Sequence, residues 1–222
     1  MDYETFINIT DKLDKFKIVN VEGDNKCFYS AVINEMIHRS DISCLKNPVT
    51  FINKRTFRSK NSVENFPIID LDFIEKARIA LELKTIAWLS NHRDDVFPDL
   101  GITIRELVEM THEIPFDLYI RRDIDSEPLW GGLAEQVALA NLYNVPIHIY
   151  RSVRLNKKTG KINEGIIKTS NVPNKDVRFQ HTQTILPFKK QSNKKLNSLP
   201  FYLLWKRYSD KTDHYMSLLE TD

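Results

Sequence analysis

Apolar residues recur at a spacing near 3.6 in several segments of the chain, and this spacing is typical of amphipathic helices. The clearest case is the range 71–91, where Asp70 stands in position to cap the first turn. A capping box formed by Thr103 and Glu106 opens a shorter helix. The pattern predicts helices over about 3–16, 27–39, 71–91, 104–112 and 133–143.

Short apolar runs in the second half of the chain predict strands. Pro146 cannot continue the helix before it, so the alternating run 147–150 is expected to begin a strand. The predicted strands cover about 17–21, 147–150, 166–168, 184–186, 201–205 and 215–219. Because helices dominate the first half and strands the second, the fold class is α+β, with a central sheet flanked by helices.

The chain has 222 residues, enough for one sizeable globular domain, and we expect a single domain over 1–222. Residues 41–69 contain prolines with several Ser and Asn, and they predict an irregular excursion. Between Arg151 and Leu199 there are twelve Lys or Arg and two acidic residues, although the net charge is only +2. We interpret 151–199 as a basic insertion, either a solvated segment or an electrostatic patch for an acidic partner.

The composition fits an ordinary soluble protein, with 41% hydrophobic and 28% charged residues. No apolar stretch approaches the roughly 18 residues that span a bilayer, and the acidic N-terminus does not resemble a secretory signal. Only two cysteines occur, without zinc-site spacing, so we expect a reducing, cytoplasmic setting. Frequent Lys, Asn and Ile indicate an AT-rich genome, such as that of a virus or intracellular bacterium acting in a host cytoplasm.

Cys27 stands where a turn-forming cluster, residues 23–26, runs into the apolar positions of a predicted helix. Free backbone N–H groups and the positive end of the helix dipole stabilise a thiolate at such a place. Cys27 is therefore a candidate nucleophile, and a small buried core cysteine is the alternative. Cys44 lacks these surroundings, and we interpret it as a core residue.

His214 lies in a short strand-like run near the C-terminus. A Cys and a His far apart in sequence are the minimum set for thiol acyl-transfer chemistry. We expect His214 to face the surface as a general base, and a hydrogen-bonded core histidine is the alternative. The other five histidines are interpreted as surface or core residues.

Three motifs follow one another along the chain: Asp24, Cys27 and Phe28-Tyr29; then Trp130-Gly131-Gly132, Glu135 and the strand 147–150; then His214-Tyr215. In this order they resemble the motifs of the ovarian-tumour (OTU) family of cysteine deubiquitinases. They span positions 21 to 219, almost the whole chain. The resemblance implies an OTU-like, papain-related cysteine protease fold with a central, mostly antiparallel sheet.

The resemblance also implies the roles of the site residues. Cys27 is the nucleophile and His214 the general base, while Asp24 shapes the corner before the cysteine. The oxyanion hole consists of the backbone N–H groups of Asn25, Lys26 and Cys27. No metal or organic cofactor is implied.

Two places depart from the family's pattern. Asn25 and Lys26 replace Gly and Asn; Asn tolerates left-handed backbone angles, and Lys26 adds a positive charge that favours the thiolate. Met216 replaces the Asn or Asp that orients the histidine, and a thioether is only a weak hydrogen-bond acceptor. The candidates for the missing third member are Asp213, Asp210 and Asn20.

The function implied by the resemblance is hydrolysis of isopeptide bonds in ubiquitin, polyubiquitin or ubiquitin-like conjugates, through a thioester intermediate. Trp130 is expected to border the substrate channel or to pack over a tight helix entry. The main alternative is a weakly active or inactive OTU-like module that binds ubiquitin. A nucleic-acid binder is not favoured, because the basic segment 151–199 lacks interleaved stacking aromatics.

Overall fold

A computed structural model of the chain describes residues 16–19, 21, 26–38, 71–124, 129–155, 162–163, 177–188, 200–209 and 212–220. The excursion 41–69, the predicted strand 166–168 and nearly all of the predicted helix 3–16 lie outside these residues. The helices of the described part are α1 (Cys27–His38), α2 (Leu71–Asn91), α3 (Ile104–His112), α4 (Phe116–Arg121) and α5 (Leu133–Tyr143). None of them is long and apolar enough to cross a membrane.

The strands form two sheets. A small hairpin pairs β2 (Val96–Phe97) with β3 (Ile102–Thr103). The strands of the central sheet are β1 (Phe16–Val19), β4 (Ile147–Leu155), β5 (Ile162–Asn163), β6 (Val177–Ile185), β7 (Phe201–Ser209) and β8 (Thr212–Glu220).

Local signals indicate the start of α3 and the end of α5, whereas Phe16, the last residue of the predicted helix 3–16, belongs to β1. The predicted capping box of α3 is confirmed, since Thr103 Oγ1 accepts from the N–H of Glu106 and the Glu106 carboxylate accepts from the N–H of Thr103. α5 ends at Asn144, which adopts a left-handed conformation (φ 52°) that Asn tolerates. Pro146 then precedes β4, as predicted. α4 was not predicted, because six residues are too few for a periodic pattern.

The central sheet has the strand order β1-β8-β7-β4-β5, and β6 also pairs with β4. The pair of β4 with β7 is parallel, and each of the other described pairs is antiparallel. The predicted α+β class, with a mostly antiparallel central sheet and flanking helices, is therefore confirmed.

Part of the predicted basic insertion 151–199 belongs to this sheet. β4 continues to Leu155, and β6 pairs with it from Ile185 to Val177. Arg151 Nε also donates to Gln180 Oε1 at 3.0 Å. The remaining residues of 151–199, apart from 162–163 and 186–188, lie outside the described part of the chain.

The central sheet buries side chains on both faces. On the helix face, the core cluster joins sheet residues such as Ile149 and Leu203 to α1, α2, α3 and α5. The other side, which we call the second face, carries alternate residues of the same strands. Among the described side chains, the buried apolar residues of this face are Tyr150, Leu204, Met216 and Leu218, and they lie outside that core cluster.

Candidate active site

Cys27 is the first residue of α1, as the sequence predicted. The N–H of Ser30 donates to the carbonyl of Lys26 at 3.2 Å, so the helical hydrogen bonds begin immediately before the cysteine. The first N–H groups of a helix lack intrahelical acceptors and carry the positive end of its dipole. Cys27 is only 1% exposed. Its position favours a thiolate, and its burial limits access to it.

The other half of the site is the start of β8. The backbone N–H of Tyr215 donates to Cys27 Sγ at 3.4 Å, across 188 positions of sequence. His214 is the residue immediately before this donor, and it is 4% exposed. The structure therefore brings the two candidate residues to one place, but the expectation that His214 faces the surface is wrong.

Strand alternation separates the side chains of β8. Ser217 Oγ donates to the carbonyl of Ala31 in α1 at 2.8 Å, so Ser217 and Tyr215 belong to the helix face. His214 and Met216 belong to the second face. The last described partner on β1 is Val19, opposite Ser217, so Tyr215 extends beyond the end of that strand. Cys27 Sγ accepts the hydrogen bond of the Tyr215 N–H beyond the end of β1, at the margin of the two faces.

The aromatic ring of Tyr215 is held between two other rings. The centroid of Phe28 lies 5.3 Å away in an edge-to-face arrangement, and that of Trp130 lies 6.4 Å away. A Cβ at Gly131 would overlap the Phe28 ring, and one at Gly132 would overlap the methyl group of Thr111. Gly131 thus allows the segment before α5 to close over the Cys27 helix, and Gly132 allows it to approach α3. This close approach supports the packing interpretation of Trp130.

Glu135 fixes the start of α5. Its carboxylate accepts from the N–H of Gly132 at 2.7 Å and from the hydroxyl of Tyr119, and it lies 2.7 Å from His112 Nε2. Burial raises the pKa of this carboxyl, but the hydrogen bond and charge of His112, with the Tyr119 hydroxyl, hold the pKa below its ordinary value. Glu135 is therefore a structural carboxylate of the helix entry.

The charge of Lys26 is paired, which changes its expected effect on Cys27. Lys26 Nζ lies 3.6 Å from Glu75 Oε1 of α2. Hydrogen bonds from Arg78, supported by the charges of Arg78 and Lys26, lower the pKa of Glu75 to about 2. An ionised carboxylate beside Lys26 reduces the positive potential that this residue offers to the thiol. The sequence alone overstated that contribution.

The residue that orients the His214 imidazole stays a prediction. Met216 is 3% exposed and shares the second face with His214, at the position where the OTU pattern places a polar side chain. Asp213 lies in β8, but its side chain is outside the described part. The other predicted site residues outside it are Asp24, Asn25, Asp210 and Asn20. The oxyanion hole of Asn25, Lys26 and Cys27 also stays a prediction.

No protein-family model and no curated protein matches the sequence. Among solved structures, the Hazara virus OTU bound to ubiquitin matches with a TM-score of 0.45 and 14% identity, over 94% of this chain and 84% of that one. The viral OTU domain protease from Farallon virus matches with a TM-score of 0.43 and 16% identity, over 93% and 85%. The chain is similar to these viral OTU domains.

Sequence reasoning missed two residues that contact the site. Gln136 of α5 donates to the Tyr215 hydroxyl, and Glu75 pairs with Lys26. Gln136 carried a weak signal, because it is a polar residue within the largely apolar run of α5. Glu75 carried none, since a carboxylate on a helix is ordinarily solvent-facing.

Proposed function

We propose that this chain is a cysteine protease of OTU type that hydrolyses isopeptide bonds in ubiquitin or ubiquitin-like conjugates. The observation that carries the proposal is the contact between Cys27 Sγ and the N–H of Tyr215. It joins a helix N-terminus, which favours a thiolate, to the residue beside a histidine that serves as general base. The order of the three OTU-like motifs supports the choice of family.

In the proposed mechanism, the Cys27 thiolate attacks the carbonyl carbon of the C-terminal glycine of ubiquitin. His214 holds the thiol proton and delivers it to the leaving lysine amine, so the C–N bond breaks and a thioester forms. His214 then takes a proton from water, and the water oxygen attacks the carbonyl carbon of the thioester. The C–S bond breaks, which releases the ubiquitin carboxylate and regenerates the Cys27 thiolate. The Tyr215 N–H stabilises the thiolate before each cycle.

The oxyanion of both tetrahedral intermediates requires donors near the sulfur. We assign this role to the backbone N–H groups of Asn25, Lys26 and Cys27, with Asp24 shaping the turn. The loss of one such donor typically costs about 2.7–4 kcal/mol of transition-state stabilisation. Trp130 is assigned to packing against Tyr215, with its outer edge lining the approach for the substrate.

A second candidate function is an OTU-like module that binds ubiquitin with little or no hydrolysis. Two observations favour it. Cys27 is 1% exposed, so the sulfur offers little surface to a substrate carbonyl. Met216, at 3% exposed, places a weak acceptor where the imidazole needs an orienting group.

We place either activity in the cytoplasm, or in the host cytoplasm for a viral or intracellular bacterial protein. Ubiquitin conjugates occur there, and the compartment keeps thiols reduced. The proposed partners are ubiquitin, polyubiquitin and conjugates of ubiquitin-like proteins.

Cleavage of isopeptide-linked ubiquitin dimers tests the proposal. Wild-type protein should release monomers, and Cys27→Ala should release none. Cys44→Ala is the matched control, because it removes the other thiol and should cleave at the wild-type rate. If wild type and Cys27→Ala both bind dimers of every linkage and cleave none, the binding module is correct and the protease is not.

A further inference from the structure

α5 is buried along most of its length, and three of its buried residues are polar. Buried polar groups are nearly always hydrogen-bonded, so their partners show what each one does. Glu135 accepts from the N–H of Gly132 at the entry of its own helix. Asn141 donates to a carbonyl of the same helix and accepts from the N–H of Phe188. Gln136 donates to Tyr215 of β8.

Both ends of the Gln136 amide are used. Its Nε2 donates to the Tyr215 hydroxyl at 2.9 Å, and its Oε1 accepts from Gln183 Nε2 at 2.9 Å. The side chain is 2% exposed, so water does not compete with the bond to Tyr215. Gln183 lies on β6 and Tyr215 on β8, and β4 and β7 separate these strands. One amide therefore links three elements across the helix face of the sheet.

The partner of this amide is the residue whose N–H contacts the thiol. The rings of Phe28 and Trp130 lie near the Tyr215 ring. Apolar contacts are non-directional, so they do little to prevent the Tyr215 side chain from shifting along the long axis of its phenol. A hydrogen bond to the hydroxyl fixes that axis, because its strength falls steeply with distance and angle. The hydroxyl and the backbone N–H of Tyr215 are thus both anchored by directional bonds.

We propose that Gln136 is a positioning residue, which holds the Tyr215 hydroxyl and so keeps the Tyr215 N–H directed at the Cys27 sulfur. Its importance for turnover rests on the proposed function, but its effect on the thiol does not. Without the amide, Tyr215 relaxes away from α1 and the thiolate loses a charge-assisted hydrogen bond. The proposal adds to the candidate site a residue that touches neither the sulfur nor the histidine.

The test is the pH dependence of Cys27 ionisation in the full chain, without ubiquitin. It is followed by the ultraviolet absorbance of the thiolate, as the difference between each protein and its Cys27→Ala counterpart. In Gln136→Leu we expect the midpoint to rise by about half to one pH unit, a roughly three- to tenfold smaller thiolate fraction at a fixed pH below the midpoint. Tyr215→Phe keeps the ring and should raise the midpoint by the same amount. The double variant should show no larger rise in the midpoint than either single variant.

Asn141→Leu is the matched control, because it removes another buried amide of α5, which is hydrogen-bonded to Val137 and Phe188. It should lower the melting temperature without moving the midpoint. Unchanged midpoints in Gln136→Leu and Tyr215→Phe would overturn the proposal, and so would an equal shift in Asn141→Leu. If Gln136→Leu does not fold, Tyr215→Phe decides alone. A shifted midpoint in a protein that never cleaves ubiquitin would keep this inference and reject the proposed protease.

Discussion

The two faces of β8 are held in different ways. On the helix face, directional hydrogen bonds fix Tyr215 to α5 and to Cys27, and fix Ser217 to α1. On the second face, His214 is followed by the buried thioether of Met216, which accepts hydrogen bonds only weakly. The thiol side is therefore held by directional hydrogen bonds, while on the imidazole side a thioether stands at the position of Met216.

The second face holds a further pair of imidazoles, away from the thiol. His148 Nδ1 and His181 Nε2 each lie 2.8 Å from the Thr184 hydroxyl oxygen, and the His148 ring stacks on Tyr202. One hydroxyl has a single proton to donate, so it can donate to only one of these rings at a time. Burial lowers the pKa of both His148 and His181, so this face favours neutral imidazoles near β4, in contrast to the anion-stabilising surroundings of Cys27.

The largest effect is expected from His214→Ala. General acid–base catalysis contributes about 10²–10⁴-fold, and turnover of ubiquitin dimers should fall by that factor. His148→Gln is the control, because it changes a histidine of the same face that lies on β4 and should keep the wild-type rate. Unchanged turnover in His214→Ala would remove the general base from the account.

Gly131→Ala tests the helix face. The new methyl group overlaps the Phe28 ring, so we expect a loss of about 1–3 kcal/mol of unfolding free energy, measured by denaturant titration. Turnover per folded molecule should also fall, since Phe28 contacts Tyr215. Gly101→Ala provides the comparison. It should lower the unfolding free energy only through the backbone φ of 68°, because an added Cβ there meets no neighbouring atom, so turnover per folded molecule should stay constant. A loss of turnover in both variants would mean that the effect is not local.

Met216→Asn tests the second face. An amide at this buried position should cost about 1–3 kcal/mol of stability where its hydrogen bonds are incomplete. Turnover per folded molecule should nevertheless rise several-fold, because an oriented imidazole keeps its accepting nitrogen toward the thiol. Met216→Leu keeps the apolar volume and should leave turnover unchanged. Unchanged or lower turnover in Met216→Asn would show that another side chain already orients the ring.

The smallest effect is a pH dependence of stability. Burial, with the charge of His181, lowers the pKa of His148 to about 4 from 6.5. Between pH 4 and pH 6.5 the unfolded state binds a proton at His148 that the folded state does not. The stability that neutral His148 contributes is therefore complete above pH 6.5 and is lost as the pH falls toward 4. We expect a loss on the order of 1 kcal/mol for this half-buried group. Denaturant titrations at both ends of the window should show a smaller loss in His148→Gln, and an equal loss would contradict the assignment.

Local features of the fold were predictable because their causes lie within a few residues. The capping box of Thr103 and Glu106, the stop at Pro146 and the helix start at Cys27 each follow from neighbouring side chains. The strand alternation that places His214 and Met216 on one face also follows from sequence alone.

Apart from the approach of Cys27 to His214, which the motifs imply, long-range contacts were not predictable, because nothing in the sequence near either partner encodes them. Gln136 meets Tyr215 across 79 positions, and Lys26 meets Glu75 only once α1 packs beside α2. The burial of His214 was missed for the same reason. A strand of alternating character does not reveal that both of its faces are covered.

The most direct test of the central claim is a ubiquitin probe with a C-terminal electrophile, followed by mass-spectrometric mapping of the adduct. The account predicts one ubiquitin joined covalently to Cys27 in wild type, the same product in Cys44→Ala, and none in Cys27→Ala. An adduct on Cys44, or no adduct while ubiquitin still binds, would contradict the assignment of Cys27 as the nucleophile.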